Sequence, residues 1–236
     1  MQPKKISICI PTYEMGGRGK DLLKRSLGIL NTQTYKDFEV IVSDNSKDDE
    51  IKNLCAEVGY SALSINYFKS TRIGMAQNTN EAMRHAKGEI IKILYMDDYL
   101  AHENSLKKIT ENFKGHWMVT GCEHDDGTKI YNPHFPTYNK YIYLGKNTID
   151  SPSVLAIKNE NPLLFDENMT WLLDCDYYKR MYDAYGDPVI LSDMNVVIGT
   201  GKHQVTNILS NIAKRKELYY MVKKHKKALF SWLKLW

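Results

Sequence analysis

Residues 90–100 read IIKILYMDDYL. An apolar run from Ile93 to Met96, broken only by the Tyr95 hydroxyl, delivers Asp97 and Asp98 at its C-terminal end. Two adjacent carboxylates behind a buried strand suit a hard divalent cation beside a phosphate, because Mg²⁺ or Mn²⁺ takes one or two carboxylate oxygens and fills its shell with phosphate oxygens and water. A solvated loop after a buried strand would show the same residues, so the pair alone leaves both readings open.

Upstream of this stretch, short β-rich runs alternate with helical patterns, the signature of βαβ units in a parallel sheet. Strands are expected at 6–10 (ISICI, stopped by Pro11), 38–43 (FEVIVS), 65–68 and 89–96. Helices are expected at 20–31, from the DNSKDD turn (44–49) to about 58, and at 75–86, where Met75, Thr79, Ala82, Met83 and Ala86 recur at helical spacing. Past residue 100 the rhythm loosens into a helix at 103–113, a strand at 117–122 and a Tyr/Pro/Asn-rich stretch at 125–150. A strand at 153–157, a helix at 169–185 and a strand at 188–198 follow. With no internal repeat and no low-complexity linker, 236 residues read as one α/β domain over 1–205, with nucleotide-binding (1–100) and acceptor (101–205) halves, and a helical tail at 206–236.

Each early strand ends in a polar cluster: Pro11-Thr12-Tyr13-Glu14, Asp44-Asn45-Ser46, Ser70-Thr71-Arg72-Ile73-Gly74 and Asp97-Asp98. Ligands of open α/β sheets sit beyond the carboxyl ends of the strands, so the four clusters would line one crevice. Any one of them alone is ordinary turn chemistry. Their residue types suit a nucleotide: Glu14 and Asp44 accept from base or ribose hydroxyls, Tyr13 stacks on a base, and Arg72 neutralises a pyrophosphate or reaches the base. Gly74 lets backbone approach the ligand, with Asn78 one turn inside the helix. Neither GxGxxG nor GxxxxGK[ST] occurs, which disfavours dinucleotide oxidoreductases and P-loop enzymes.

Composition is that of a soluble globular protein, 43% hydrophobic and 25% charged. Cys9, Cys55, Cys122 and Cys175 lack metal-ligand or disulfide spacing, which points to a reducing compartment. The N-terminal apolar stretch is too short for a signal peptide, and no run reaches bilayer length. The net charge of +4 is uneven: residues 206–236 carry +7 and the remainder −3.

The set SICIPTYE, VIVSDNS and RIGMAQNTNEAM…AKGEIIKILYMDDYL, in this order and spacing, resembles the family 2 glycosyltransferases of the GT-A fold over about residues 4–205. The resemblance implies a single α/β domain with a mostly parallel, Rossmann-like central sheet. It also implies that Pro11, Thr12, Tyr13, Glu14, Asp44, Ser46, Arg72, Gly74 and Asn78 bind the nucleotide of a sugar donor. Asp97 would be the metal-binding second aspartate of the family's DxD, with Asp98 beside it. The first acid of that motif is replaced by Tyr95. Either the adjacent pair suffices, since one carboxylate with two phosphate oxygens can hold Mn²⁺ or Mg²⁺, or metal binding is weak, or the chain has lost its chemistry; the first is the expectation.

In WLLDCDYY (171–178), Asp174 and Asp176 stand about 200° apart around a helix and cannot face one site. Asp174 aligns with the family's acceptor-activating acid, and Trp171, Leu172 and Leu173 would dry its surroundings and raise its pKa. A helix-start aspartate satisfying the dipole is the plainer reading. Trp171 and Asp176 are expected on the acceptor side. His203, in a glycine-bearing loop after the last strand, matches a histidine that caps the metal or pyrophosphate in similar proteins, with Lys202 as a helper.

In the tail, Ile208, Ile212, Tyr219, Val222, Leu229, Leu233 and Trp236 fall on a 4-3 spacing opposite a lysine-rich face. A basic amphipathic helix ending in Phe230, Trp232 and Trp236 suits an anionic membrane surface. The same periodicity fits a helix packed on the body or on a second copy in a homodimer. Nucleic acid is disfavoured because the other basic residues form no matching groove.

The resulting expectation is an inverting, metal-dependent glycosyltransferase. It would move a sugar, UDP-activated by family frequency, to a hydroxyl of a glycan or lipid-linked glycan during bacterial surface polysaccharide synthesis. It would be cytoplasmic and peripheral on the inner face of the cytoplasmic membrane. The alternatives are a nucleotide-sugar or glycan-binding module that has lost its chemistry through Tyr95, and a sugar nucleotidylyltransferase, which would want a glycine-rich basic loop after the first strand. Gly16-Gly17-Arg18-Gly19-Lys20 only faintly resembles one.

Overall fold

The computed structural model describes residues 5–57 and 62–232, with side chains to residue 226. Strands β1 (Ile6–Thr12), β2 (Phe38–Asp44), β3 (Ile65–Lys69) and β4 (Ile90–Ile93) alternate with helices α1 (Gly19–Asn31), α2 (Glu50–Cys55) and α3 (Met75–His85). Then come β5 (Tyr99–Leu100), α4 (Ser105–Asn112), β6 (Trp117–Asp125), β7 (Ile130–His134) and β8 (Leu155–Lys158). Helix α5 (Leu173–Tyr185), β9 (Val189–Gly199), α6 (Val205–Ile208) and α7 (Asn211–Trp232) complete the described chain.

The strands form one sheet in the order β3-β2-β1-β4-β8-β6-β9-β5, with β7 added to β6. The parallel half, β3-β2-β1-β4, is the βαβ portion legible in the sequence. Every residue of β1 and β2 is buried, as expected of strands covered by helices on both faces. On α1, Leu23, Leu27 and Leu30 recur at helical spacing and lie fully buried against this sheet. The second half mixes directions: β8 is antiparallel to β4 and β6, while β9 runs parallel to β6 and antiparallel to β5.

Two differences from the sequence reading matter for the site. Strand β1 runs through Pro11 to Thr12. Its ladder with β4 ends at Cys9–Ile93, whereas the one with β2 continues to Thr12–Asp44, so Pro11 sits where one side of the strand is free and its missing N–H costs no ladder bond. Strand β4 stops at Ile93, well short of the expected 96. Beyond it the Leu94 amide donates to the Cys9 carbonyl (3.0 Å), the Tyr95 amide to the Ser153 hydroxyl (2.8 Å) and the Asp98 amide to the Tyr95 carbonyl (2.9 Å). The chain thus turns out of the sheet as it reaches the aspartates.

Candidate active site

A cavity of about 640 Å³ opens beyond the carboxyl ends of β1 and β4. Its walls include Pro11, Tyr13 and Glu14 after β1, Asn45 and Lys47 after β2, and Gly74 and Asn78 at the start of α3. Tyr95, Asp97 and Asp98 follow β4, His203 comes from the loop after β9, and Trp171 and Asp174 flank the start of α5. Three of the four polar clusters of the parallel half, together with the Gly74 end of the fourth, therefore converge as expected from strand topology.

Asp97 is held by its backbone and leaves its side chain to the cavity. The Arg25 guanidinium donates to its carbonyl (2.6 Å), and its Oδ2 lies 2.9 Å from His203 Nε2. Gly199 makes this approach feasible, because a Cβ there would stand 2.4 Å from the Asp97 carbonyl oxygen. A carboxylate oxygen and an imidazole nitrogen this close, beside room for phosphate and water, fit one divalent cation. The nitrogen donor favours Mn²⁺ over Mg²⁺. The buried Nδ1 of His203 has no hydrogen-bond partner among the described residues.

Asp98 has a different role from its neighbour. It is buried, with Oδ1 accepting the Gly199 amide (2.8 Å) and Oδ2 the Ser151 hydroxyl (3.1 Å), and the Ser26 hydroxyl donates to its carbonyl (2.7 Å). Burial, then the Asp97 charge, push its pKa well up. Both carboxylate oxygens thus tie the short 3₁₀ turn at Pro152–Val154, through Ser151 before it, and the end of β9 to the turn that carries Asp97, which is a poor starting geometry for the metal ligation expected of Asp98. Fully buried Lys92 on β4 donates to the Ser153 carbonyl, and burial pulls its pKa down to about 7.

The nucleotide-side residues divide into cavity wall and support. Asp44 is fully buried: its Oδ1 accepts from Ser46 N–H (2.8 Å), Ser46 Oγ (2.6 Å) and Thr12 Oγ1 (3.3 Å), and its Oδ2 from Tyr67 (2.9 Å) and Lys69 (3.2 Å). Thr12, Asp44 and Ser46, expected at the nucleotide, brace the ends of β1 and β2 directly behind the residues that line the cavity. Asn78 lines the cavity and ties the same strands together, donating to the Thr12 carbonyl (3.0 Å) and accepting from Ser43 (2.5 Å). Arg72 also departs from expectation. It pairs with Glu167, a partner more than ninety positions away that no local pattern reveals, and stands outside the lining. Lys202 is exposed and likewise outside it.

Asp174 occupies the first turn of α5. Its Oδ1 accepts the Cys175 amide (2.6 Å) and its Oδ2 accepts Asn147 Nδ2 (2.7 Å). Burial raises its pKa from 3.8 to about 6, with a contribution from Asp150, against the lowering by these hydrogen bonds. A carboxylate poised there suits proton abstraction near neutral pH. Asn147 escaped the sequence reading because it lies in the irregular 125–150 stretch. Its Oδ1 accepts the amides of Ile149 (2.9 Å) and Asp150 (3.0 Å), and its amide also donates to the Asp150 carbonyl (3.0 Å), so it reaches Asp174 from a fixed loop.

Asp176 is the clearest correction. It is fully buried away from the cavity, bound by Arg180 (2.7 Å), Lys224 (2.7 Å) and His225 (2.9 Å), and these partners hold its carboxyl well below the usual range despite burial. The acceptor-side expectation failed because the cations that claim it come from α5 and the tail. Trp171, by contrast, lines the cavity.

A second ligand-type cluster gathers Cys122, His124 and Asp150, with candidate donor atoms within 4.8 Å of one another. His124 Nδ1 faces the Asn132 carbonyl and Nε2 faces Asp150 Oδ2, both at 3.1 Å. Two acceptors around one ring suit an imidazolium–carboxylate pair. The His124 pKa is accordingly raised, chiefly by the Asp150 hydrogen bond, and the Asp150 pKa is lowered by His124 and the Ser151 amide against its burial.

The strand order and the position of the cavity are those of the GT-A fold. The family model for glycosyl transferase family 2 matches residues 7–155, and the chain belongs to that family. It is 30% identical over 98 residues to the GalNAc(5)-diNAcBac-PP-undecaprenol beta-1,3-glucosyltransferase of Campylobacter jejuni, spanning 41% of this chain and 30% of that one. In fold it resembles Staphylococcus aureus TarS 1-349 in complex with UDP-GlcNAc (TM-score 0.69, 20% identity, 87% of this chain and 61% of that one). It also resembles the mannosyltransferase PcManGT of Pyrobaculum calidifontis in complex with GDP-Man and Mn²⁺ (TM-score 0.61, 17% identity, 96% and 65%). The chain thus spans less than two thirds of each of these proteins.

Proposed function

We propose that this chain is an inverting, metal-dependent glycosyltransferase that moves a sugar from a nucleotide-sugar donor, a UDP-sugar by preference, to a hydroxyl of a glycan or lipid-linked glycan. The observation that carries the reading is the cavity itself, with the Asp97–His203 pair on one wall and Asp174, its pKa raised to about 6, on another. Asp97 and His203 would hold Mn²⁺ or Mg²⁺, which when bound neutralises charge on the departing diphosphate. Tyr13, Glu14 and Asn45 would embrace the nucleoside, with the exposed Ile73 beside them as an apolar cover. Asp174 takes the proton of the acceptor hydroxyl as its oxygen bonds to the anomeric carbon. The bond from that carbon to the diphosphate oxygen breaks on the opposite face, so the configuration inverts. The C. jejuni relative, whose name specifies an undecaprenyl-diphosphate-linked acceptor, supports a lipid-linked acceptor here.

Thermal shift against a panel of nucleotide sugars checks the donor assignment. UDP-sugars are expected to raise the midpoint by several degrees with Mn²⁺ and little without it, as differential binding to the folded state requires. Equal shifts with and without metal, or none with any nucleotide sugar, would contradict it.

The membrane reading belongs to the outward face of residues 206–226. Ile208, Ile212 and Tyr219 are 68%, 69% and 69% exposed, among exposed Arg215, Lys216, Lys223 and Lys226. Apolar side chains set in a cationic face suit an anionic lipid surface. The aromatic end expected at Phe230, Trp232 and Trp236 lies outside the described side chains, and no described helix is long and apolar enough to cross a membrane. On phosphatidylglycerol-containing vesicles, wild type is expected to co-sediment in a salt-sensitive way and a Lys216→Glu/Tyr219→Ser/Lys223→Glu variant to stay in the supernatant. Equal partitioning of the two would remove the membrane assignment.

A further inference from the structure

The inward face of α7 departs from the apolar stripe expected of it. Lys214, Glu217, Met221, Lys224 and His225 recur at three- and four-residue spacing and all meet the body, most of them at the segment that carries Asp174. Lys214 stands over the Trp171 ring (5.7 Å), Met221 is fully buried, and Lys224 spans Asp166 (2.6 Å) and Asp176 (2.7 Å). His225 reaches Asp176 (2.9 Å), and Tyr220 donates to Asp166 (2.9 Å).

Glu217 is the centre of this contact. Its Oε1 accepts three consecutive backbone amides, those of Thr170 (3.1 Å), Trp171 (2.6 Å) and Leu172 (2.5 Å). Successive N–H groups aimed at one point form a nest for an anion, and here the anion is a side chain of the tail. The position is telling because Leu172, the N-cap of α5, offers no side-chain cap of its own. Asp174 is therefore bracketed. Glu217 fixes the three residues before α5, while Lys224, His225 and Arg180 fix Asp176 two positions beyond the carboxylate that faces the cavity. Thr170 and Trp171 are themselves cavity wall.

We infer that α7 is a built-in part of the acceptor half of the site, and that Glu217 is a positioning residue that sets Trp171 and Asp174 for the acceptor. The catalytic half of this inference rests on the reading of Asp174 as the base; the clamp itself does not.

The test pairs two readouts on the full chain carrying Glu217→Ala or Glu217→Gln. Hydrogen exchange of peptides covering 166–176 should speed up at least tenfold in the alanine variant, with β1–β4 peptides unchanged. The glutamine variant, which keeps one oxygen for the nest, should recover most of the protection. In steady-state transfer the alanine variant should lose about tenfold or more in kcat and gain in acceptor KM, while donor KM and UDP affinity stay within twofold. Glutamine should restore the larger part. Unchanged exchange at 166–176 would overturn the clamp. Faster exchange with intact kcat, or equal loss on donor and acceptor sides, would overturn the positioning role. A wild type inert towards every donor and acceptor would sink the enzymatic reading and its positioning clause, and the exchange result would still decide the clamp.

Discussion

Asp174→Asn is expected to lower sugar transfer on the order of 10²- to 10⁴-fold, the range of a removed general base, which is about 3 to 5 kcal/mol of transition-state stabilisation. Affinity for a nucleotide sugar should stay within twofold, because the Asp174 carboxylate is hydrogen-bonded to Cys175 and Asn147 and not to the Asp97–His203 pair, and Asn preserves its shape. In wild type, kcat/KM should rise with pH through about 6 as the carboxyl loses its proton, and that limb should vanish in the variant. Stability moves the other way. A carboxyl whose folded pKa is raised from 3.8 to about 6 binds its proton more tightly when folded, so the wild type loses stability as pH climbs through that window. The Asn variant should therefore melt higher than wild type at pH 8, relative to their difference at pH 4. Retained turnover in this variant would remove the single-displacement mechanism.

The second large effect concerns the cation. Chelation with EDTA is expected to abolish transfer and Mn²⁺ to restore it. Asp97→Ala should cost on the order of 10²- to 10³-fold in kcat, as for loss of one strong electrostatic stabiliser, and should remove the Mn²⁺ dependence of UDP binding. His203→Ala should weaken Mn²⁺ more than Mg²⁺, since the nitrogen donor matters more to the former. Steady-state rates across a metal titration check this. Full activity of Asp97→Ala in EDTA would contradict it.

The parallel half of the sheet was legible because its strands are buried on both faces and its turns carry polar residues at the strand ends. The same regularity puts Pro11, Tyr13, Glu14, Gly74, Asn78 and Asp97 at neighbouring strand ends, and all six line the cavity. What periodicity could not supply was pairing between distant side chains. Arg72 is taken by Glu167, Asp176 by Lys224 and His225, and both Asp98 oxygens by Ser151 and Gly199. Each choice depends on which loop arrives beside which carboxylate. Asn147 and strand β7 were missed for the same reason: the 125–150 stretch owes its shape to Asx turns and long-range contacts. The tail shows the failure most plainly, since its docking face is chosen by buried acids and free amides of the body that a helical wheel does not contain.

Anomalous diffraction at the manganese edge from crystals grown with UDP and Mn²⁺ puts the central assignment to its most direct test. The peak should fall between Asp97 Oδ2 and His203 Nε2, touching the diphosphate, with the free side of that cavity facing Asp174. A bound nucleotide with no manganese at that pair, or manganese seated instead on Cys122, His124 and Asp150, would contradict the account.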